Sequence, residues 1–100
     1  GKAMTITVNI LYQGKGENAR LFAGEMVSSG LVDKIRQQSG NLRYEYFVPL
    51  DNQHAILLID EWENQEAIDL HHKSPMMAKI AELREKYQLR LKVTRYQQID

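Results

Sequence analysis

The sequence predicts a ferredoxin-like α+β fold, in which a four-stranded antiparallel sheet carries helices on one face. The chain has 100 residues, which is enough for one compact domain and too few for two. Hydrophobic residues make up 43% and charged residues 26% of the chain, as is typical of globular proteins. Apolar residues follow alternating and helical spacings in the order strand, helix, strand, strand, helix, strand.

The first strand and the first helical region occupy the N-terminal third of the chain. Apolar and polar side chains alternate over residues 5–11, which predicts a strand with one apolar face. Glycines within residues 13–16 end this strand. From Asn18 onwards apolar residues recur every three or four positions, which predicts a helix. Weak helix formers at residues 28–30 predict a bend before a second helical stretch over residues 31–38.

A hairpin of two strands comes next. Residues 42–48 alternate and are rich in aromatic side chains, and Pro49 ends this strand because it has no amide hydrogen to donate. Residues 50–53 form the turn. The strand that follows, residues 54–62, is apolar on both faces, so the helices cannot cover all of its apolar surface. We therefore expect a homodimer in which two copies pack sheet against sheet.

The last third of the chain adds a second helical region and a fourth strand. Asn64 is the predicted N-cap of a helix that runs to about His72. The Ser-Pro pair at residues 74–75 restarts the helix, because proline suits its first turn. An apolar stripe continues to about Lys86, and alternation over residues 89–93 predicts the final strand.

Composition excludes several classes of function. Thirteen basic and thirteen acidic residues cancel, so no long-range field favours nucleic acid or an anionic membrane surface as a partner. The absence of cysteine excludes disulfides and thiolate metal sites. No apolar run approaches the roughly 20 residues of a membrane helix, so a cytoplasmic location is expected. Residues 1–3 precede Met4 and suggest a short non-native remnant, which leaves a single domain over residues 4–100.

The residues suited to proton transfer near neutral pH are His54, His71 and His72. His71 and His72 are consecutive on a helix and point about 100° apart, so they cannot jointly bind one metal ion. No metal is therefore expected. A serine nucleophile motif does not occur, and because a glycine-rich phosphate loop is also absent, no nucleotide cofactor is expected. What remains is an apolar pocket between the sheet and the second helical region, with Trp62 and His71 beside it.

Four segments of the chain resemble a known family. They are Asp-Glu-Trp at 60–62, Glu-Ala-Ile-Asp-Leu-His at 66–71, Ser-Pro-Met-Met at 74–77 and the glycine-led strand at 40–46. Together they look like the signature of the antibiotic-biosynthesis monooxygenase family. The resemblance covers nearly the whole chain and agrees with the predicted topology.

The resemblance implies a dimeric α+β barrel that oxidises phenols, quinols or anthrones with O₂ and without metal or flavin. Other members isomerise small phosphorylated sugar-like signals, and related barrels degrade haem. The haem-degrading branch has an Asn, Trp and His set. Asn9 matches the first of these, whereas His71 and Ala81 stand at the other two positions. A histidine often found after the Ser-Pro pair is replaced here by Met76.

The histidine of the family motif corresponds to His71, which is the expected general base, with a pKa near the working pH. The chemistry of such an oxidation suggests roles for six further side chains that are expected to contact the substrate. They are Trp62 and Tyr46 by stacking, Asn9, Arg43 or Tyr44 at a developing oxyanion, and Met76 as a flexible lining residue.

Two other readings of the site remain open. His71 on an apolar helix face also suits a structural histidine with a hydrogen-bond partner, and Trp62, Tyr44 and Tyr46 also suit core packing. For function, a proton-shuffling isomerase of a small carbonyl metabolite and a non-catalytic ligand-binding module are the alternatives to the oxygenase. Anaerobic turnover would distinguish the isomerase, and ligand binding without product would distinguish the binding module.

Overall fold

The computed structural model describes residues 5–99, so the predicted remnant at residues 1–3 lies outside the described residues. Within this range the chain forms four strands and four helices. In chain order they are β1 (Ile6–Gln13), α1 (Asn18–Ser28), α2 (Leu31–Arg36), β2 (Asn41–Phe47), β3 (Ala55–Trp62), α3 (Gln65–His72), α4 (Met76–Lys86) and β4 (Arg90–Gln97).

The sheet confirms the predicted ferredoxin-like topology. The strand order is β2-β3-β1-β4, and each neighbouring pair is antiparallel. Each predicted helical region is broken as the sequence indicates. Gly30, with φ of 85°, separates α1 from α2 because its left-handed conformation costs glycine little. Pro75 precedes α4 with φ of −60°, which suits the start of a helix.

Element boundaries differ from the prediction by a few residues. Helix α2 ends at Arg36 rather than at Gln38, and β2 ends at Phe47 rather than at Val48. Strand β4 continues to Gln97, four residues past the predicted alternation, because it pairs with β1 along its whole length. Long-range pairing therefore extends a strand beyond its local apolar signal.

Two local features fix α3 against the sheet. The Asn64 side chain accepts a hydrogen bond of 2.9 Å from the amide of Ala67, which confirms the predicted N-cap. Gly40 has φ of 84°, and a Cβ atom there would lie 2.4 Å from the Ala67 Cβ atom. Only glycine allows this close approach, which brings the segment before β2 against α3.

The two faces of the sheet have different surroundings. The inner face packs against the helices, and its core includes five of the largest fully buried side chains: Trp62, Phe22, Met26, Ile35 and Leu58. The outer face has no cover from the described elements. Leu11, Leu57 and Ile59 lie there half-buried, which confirms that β3 is apolar on both sides. The homodimer stays a prediction.

None of the helices within residues 5–99 combines the length and the apolar composition that a membrane span requires.

Candidate functional site: a chamber with two buried ionisable side chains

A chamber of about 300 Å³ lies between the inner face of the sheet and helices α3 and α4. This volume is at the lower end of the range for small-molecule sites. Its apolar lining comes from nine side chains: Val8, Ile10, Leu58, Trp62, Ile68, Met77, Ile80, Leu91 and Val93. Its polar lining comes from seven: Tyr12, Tyr44, Asp60, His71, His72, Arg84 and Arg95. Asp60 and His71 are the buried ionisable groups among these, apart from tyrosines, because each is only 5% exposed.

His71 lies on the buried face of α3 with Ala67 and Ile68, at helical spacing. Its Nδ1 atom is 2.7 Å from Oε1 of Gln38, in the segment between α2 and β2. An amide oxygen only accepts hydrogen bonds, so Nδ1 carries the proton and donates it. The neutral ring therefore keeps its lone pair on Nε2. Gln38 is a positioning residue that the motif analysis missed, because its contact with His71 joins residues 33 positions apart.

His71 differs from expectation in its acidity. Burial, together with a smaller repulsion from the neighbouring His72, lowers the pKa of its imidazolium from 6.5 to about 4. Burial of the cationic ring removes its hydration, and the chamber offers no interaction that compensates for this loss. The expectation of a pKa near the working pH is therefore wrong, and the ring is neutral at pH 7.

Trp62 connects the two buried ionisable groups. Its ring stacks on His71 with centroids 4.7 Å apart and planes inclined by 28°. Its indole Nε1–H donates a hydrogen bond of 3.1 Å to Oδ2 of Asp60. Gln38, His71, Trp62 and Asp60 thus form one continuous set of contacts along the chamber wall.

Asp60 is the functional candidate that sequence reasoning missed. Oδ1 of Asp60 is buried and has no hydrogen-bond partner among residues 5–99. Burial raises the pKa of this carboxyl from 3.8 to about 6, against the hydrogen bond from Trp62, which lowers it. The signal was present in the sequence, because Asp60 is two residues from both Leu58 and Trp62 and so shares their face.

The two predicted tyrosines lie on the inner face of β2. Tyr44 lines the chamber and pairs across the strands with Asp60. Tyr46 packs beside it, with ring centroids 6.0 Å apart and planes at 86°. Its buried hydroxyl has no partner within the part of the chain that the structure describes. Desolvation raises the pKa of both phenols, so both stay protonated at neutral pH.

Asn9 and Arg43 are not brought to the chamber. Asn9 pairs with Ile59 and Arg43 pairs with Glu61, which places both on the outer face of the sheet. Arg43 instead forms an exposed ion pair with Glu45 at 2.5 Å. Neither side chain can contact an oxyanion beside His71, because the sheet lies between them and the chamber. Successive side chains on a strand point to opposite faces, and both residues are out of phase with the inner face.

Met76, which was expected to line the substrate site, does not line the chamber. Met76 is half-buried against the core at the first position of α4, whereas Met77 lines the chamber. Arg84 on α4 and Arg95 on β4 also reach the chamber, at its more exposed side. The local pattern around Arg84 is that of a solvated helix face, so nothing nearby in the sequence signalled its position.

Across residues 5–99 the structure has no group of three or more histidine or carboxylate side chains arranged to hold a metal ion. The residues that do line the chamber suit proton transfer. The chamber has a neutral imidazole, a carboxyl group that titrates close to neutral pH and a surrounding of apolar side chains and protonated phenols.

The comparisons with known proteins agree with the motifs. The family model described as antibiotic biosynthesis monooxygenase matches residues 5–83. A conserved protein from Bacteroides thetaiotaomicron is similar in structure, with a TM-score of 0.83, 14% identity, and 97% of this chain and 100% of that chain covered. A Pseudomonas aeruginosa protein has a TM-score of 0.82 and 17% identity, with both chains fully covered.

A further similar structure is SnoaB, described as a cofactor-independent oxygenase from Streptomyces nogalater. Its TM-score is 0.78 at 14% identity, with 96% of this chain and 94% of that chain covered. No curated protein matches the sequence significantly. At these identities the structural likeness shows the fold alone, whereas the family model matches most of the sequence. The chain therefore belongs to the antibiotic biosynthesis monooxygenase family.

Proposed function

We propose that this protein is a cofactor-independent monooxygenase that oxidises a small aromatic or quinol-type substrate with O₂, with His71 as general base. The observation that carries the proposal is a neutral imidazole, 5% exposed, that lines a mostly apolar chamber of about 300 Å³. Membership of the monooxygenase family supports the reaction class. The similar fold of SnoaB, a cofactor-independent oxygenase, agrees with it.

The chemistry needs a base more than it needs a cofactor. A phenolate or a carbanion next to an aromatic ring passes an electron to O₂ far more readily than the protonated substrate does. One oxygen atom enters the product and the other leaves as water, and the substrate supplies all four electrons. The enzyme must remove a proton, exclude competing water and hold the flat ring in place.

The described side chains suit these tasks. Nε2 of His71 keeps a lone pair because the proton is on Nδ1, which donates a hydrogen bond to Oε1 of Gln38. Trp62 and Tyr44 line the chamber and offer aromatic surface to a flat ring. The protonated phenol of Tyr44 is a hydrogen-bond donor for a developing oxyanion, a role that Asn9 and Arg43 cannot take from the outer face.

Oxygen uptake by metal-free protein with a panel of hydroquinones and anthrones tests the proposal. We expect His71→Ala to lower the rate of uptake by about 10² to 10⁴, the usual contribution of general-base catalysis. Asp69→Asn is the matched control, because Asp69 is an exposed residue on the same helix. If the parent protein consumes no oxygen with any member of the panel, the proposal is wrong.

A proton-shuffling isomerase is the second candidate function. Two proton acceptors in one chamber favour it, because isomerisation removes a proton at one atom and returns it at another. An isomerase would turn over small carbonyl compounds without oxygen, whereas the proposed oxygenase would not. Thermal stabilisation by such compounds without any product would instead indicate a binding module.

We also propose that two copies pack through their outer sheet faces. Leu11, Leu57 and Ile59 form the centre of this surface, and the apolar side chains of Phe47 and Tyr96 lie 38% and 51% exposed on it. Apolar side chains left uncovered by the described elements are typical of an interface.

Sedimentation equilibrium tests this assembly. The parent protein should sediment as a dimer, and Ile59→Lys should sediment as a monomer because a charge would be buried at the interface. Leu70→Lys is the control, since Leu70 is 57% exposed on α3, away from the outer face. A parent protein that stays monomeric at all concentrations would contradict the dimer.

A further inference from the structure

The carboxyl group of Asp60 has a geometry that core packing does not explain. Strand β3 places it on the inner face between Leu58 and Trp62, at the chamber wall. Trp62 holds Oδ2, so the group has one fixed orientation. Oδ1 is buried and lacks a donor within residues 5–99. A buried acceptor without a donor costs free energy, which a donor on a bound ligand would recover.

We propose that Asp60 is a catalytic residue, and that its Oδ1 atom takes the proton from the hydroxyl of the aromatic substrate. The inference rests on the proposed function and adds a second, stronger base to the chamber. In the step, the O–H bond of the phenol breaks and a Oδ1–H bond forms. The phenol becomes a phenolate, the carboxylate becomes a carboxylic acid, and no electron moves until O₂ reacts.

The groups around Asp60 leave its charge uncompensated. Those that line or adjoin the chamber are, by element, Tyr12 on β1, Tyr44 and Tyr46 on β2, His71 and His72 on α3, Arg84 on α4 and Arg95 on β4. Neither arginine forms an ion pair with Asp60 among the described residues. The neighbouring phenols and the imidazole of His71 are neutral at pH 7. Desolvation therefore dominates, and the carboxylate holds a proton more tightly than an exposed one.

The two bases differ in proton affinity. The pKa of Asp60 is about 6 and that of His71 is about 4, so Asp60 binds a proton roughly 100 times more tightly. Above pH 6 Asp60 is still mostly ionised and ready to accept. Asp60 then takes the hydroxyl proton, and His71, with its orientation set by Gln38 and Trp62, remains the general base for a proton at another atom of the substrate.

A coloured phenol gives a test that does not depend on turnover. We would titrate 4-nitrophenol bound to the protein and follow the absorbance of its phenolate. In the parent protein the ionised carboxylate should favour the protonated probe. Asp60→Asn removes the charge with little change in shape, so the ratio of bound phenolate to bound phenol should rise at least tenfold. Glu61→Gln is the matched control, because Glu61 is the next residue on β3 and faces outward.

Infrared spectroscopy of the free protein supplies a second readout for the case in which the probe does not bind. The carbonyl stretch of a protonated carboxyl should disappear with a midpoint near pH 6 and be missing in Asp60→Asn. The proposal is overturned if this band is absent from the parent protein, or if Asp60→Asn leaves both the probe titration and the oxygen uptake unchanged. A shifted probe titration without any oxygen uptake would refute the proposed function and leave the proton acceptor in place.

Discussion

The inner and outer faces of the sheet use the same four strands for different purposes. Asp60 and Glu61 are consecutive acidic residues on β3, yet one is 5% exposed and the other is half-buried beside the hydroxyl of Thr7. Only the inner carboxyl has helices packed above it. The face of the sheet, and not the residue type, decides which acidic side chain is buried at the chamber wall and has a raised pKa.

The same contrast holds for the basic and aromatic residues of β2. Arg43 faces outward and pairs with Glu45 in solvent, whereas Tyr44 faces inward and is 2% exposed. A one-residue shift along the strand therefore separates a solvated ion pair from a wall of the chamber. Variants on the two faces test how far this difference extends.

The largest expected effect is on stability, from truncation of the inner face. Trp62→Ala should lower the free energy of unfolding by about 3–5 kcal/mol, because it removes a fully buried ring and the donor to Asp60. Leu57→Ala on the outer face should cost less in a monomer. Urea unfolding at several protein concentrations measures both. A cost for Leu57→Ala that grows with concentration would show that a second copy covers the outer face.

The next effect is a pair of opposite pH dependences. The raised pKa of Asp60 contributes stability that is full below pH 3.8 and is lost as the pH rises through about 6. The lowered pKa of His71 contributes stability that is full above pH 6.5 and is lost as the pH falls through about 4. Each contribution amounts to about 3 kcal/mol, and the two opposite pH dependences largely cancel in the parent protein.

Single substitutions should separate the two contributions. As the pH increases from 4 to 6, the free energy of unfolding of Asp60→Asn should rise relative to that of the parent. As the pH increases from 4 to 6.5, the free energy of unfolding of His71→Gln should fall relative to that of the parent. Urea titrations at each pH, followed by circular dichroism, measure the differences. Differences of the same sign in both variants would contradict the assignment of the two shifts.

The smallest effect belongs to the outer face. Arg43→Ala removes an ion pair whose side chains are 41% and 49% exposed, so stability should change by less than about 1 kcal/mol. Oxygen uptake should stay within about twofold of the parent, because Arg43 does not reach the chamber. A large loss of oxygen uptake would indicate that Arg43 contacts the substrate and would contradict the assignment of the site to the inner face alone.

Much of the site was predictable where it depends on local pattern. Alternation placed Tyr44 with Tyr46, and helical spacing placed His71 on a buried face. The N-cap at Asn64 and the break before Pro75 follow from side-chain chemistry within a few residues. Asn9 and Arg43 were expected at an oxyanion, although the alternation along their strands puts both on the face away from the chamber.

What the sequence determined by itself is the order of the elements and the face on which each side chain lies, since both depend on periods of two and of 3.6 residues. Only the tertiary structure decided which buried polar groups meet and how readily they release a proton. The contact between Gln38 and His71 and the unpaired oxygen of Asp60 arise from segments distant in the chain. A pKa depends on the solvent that those segments exclude, and no local pattern records that exclusion.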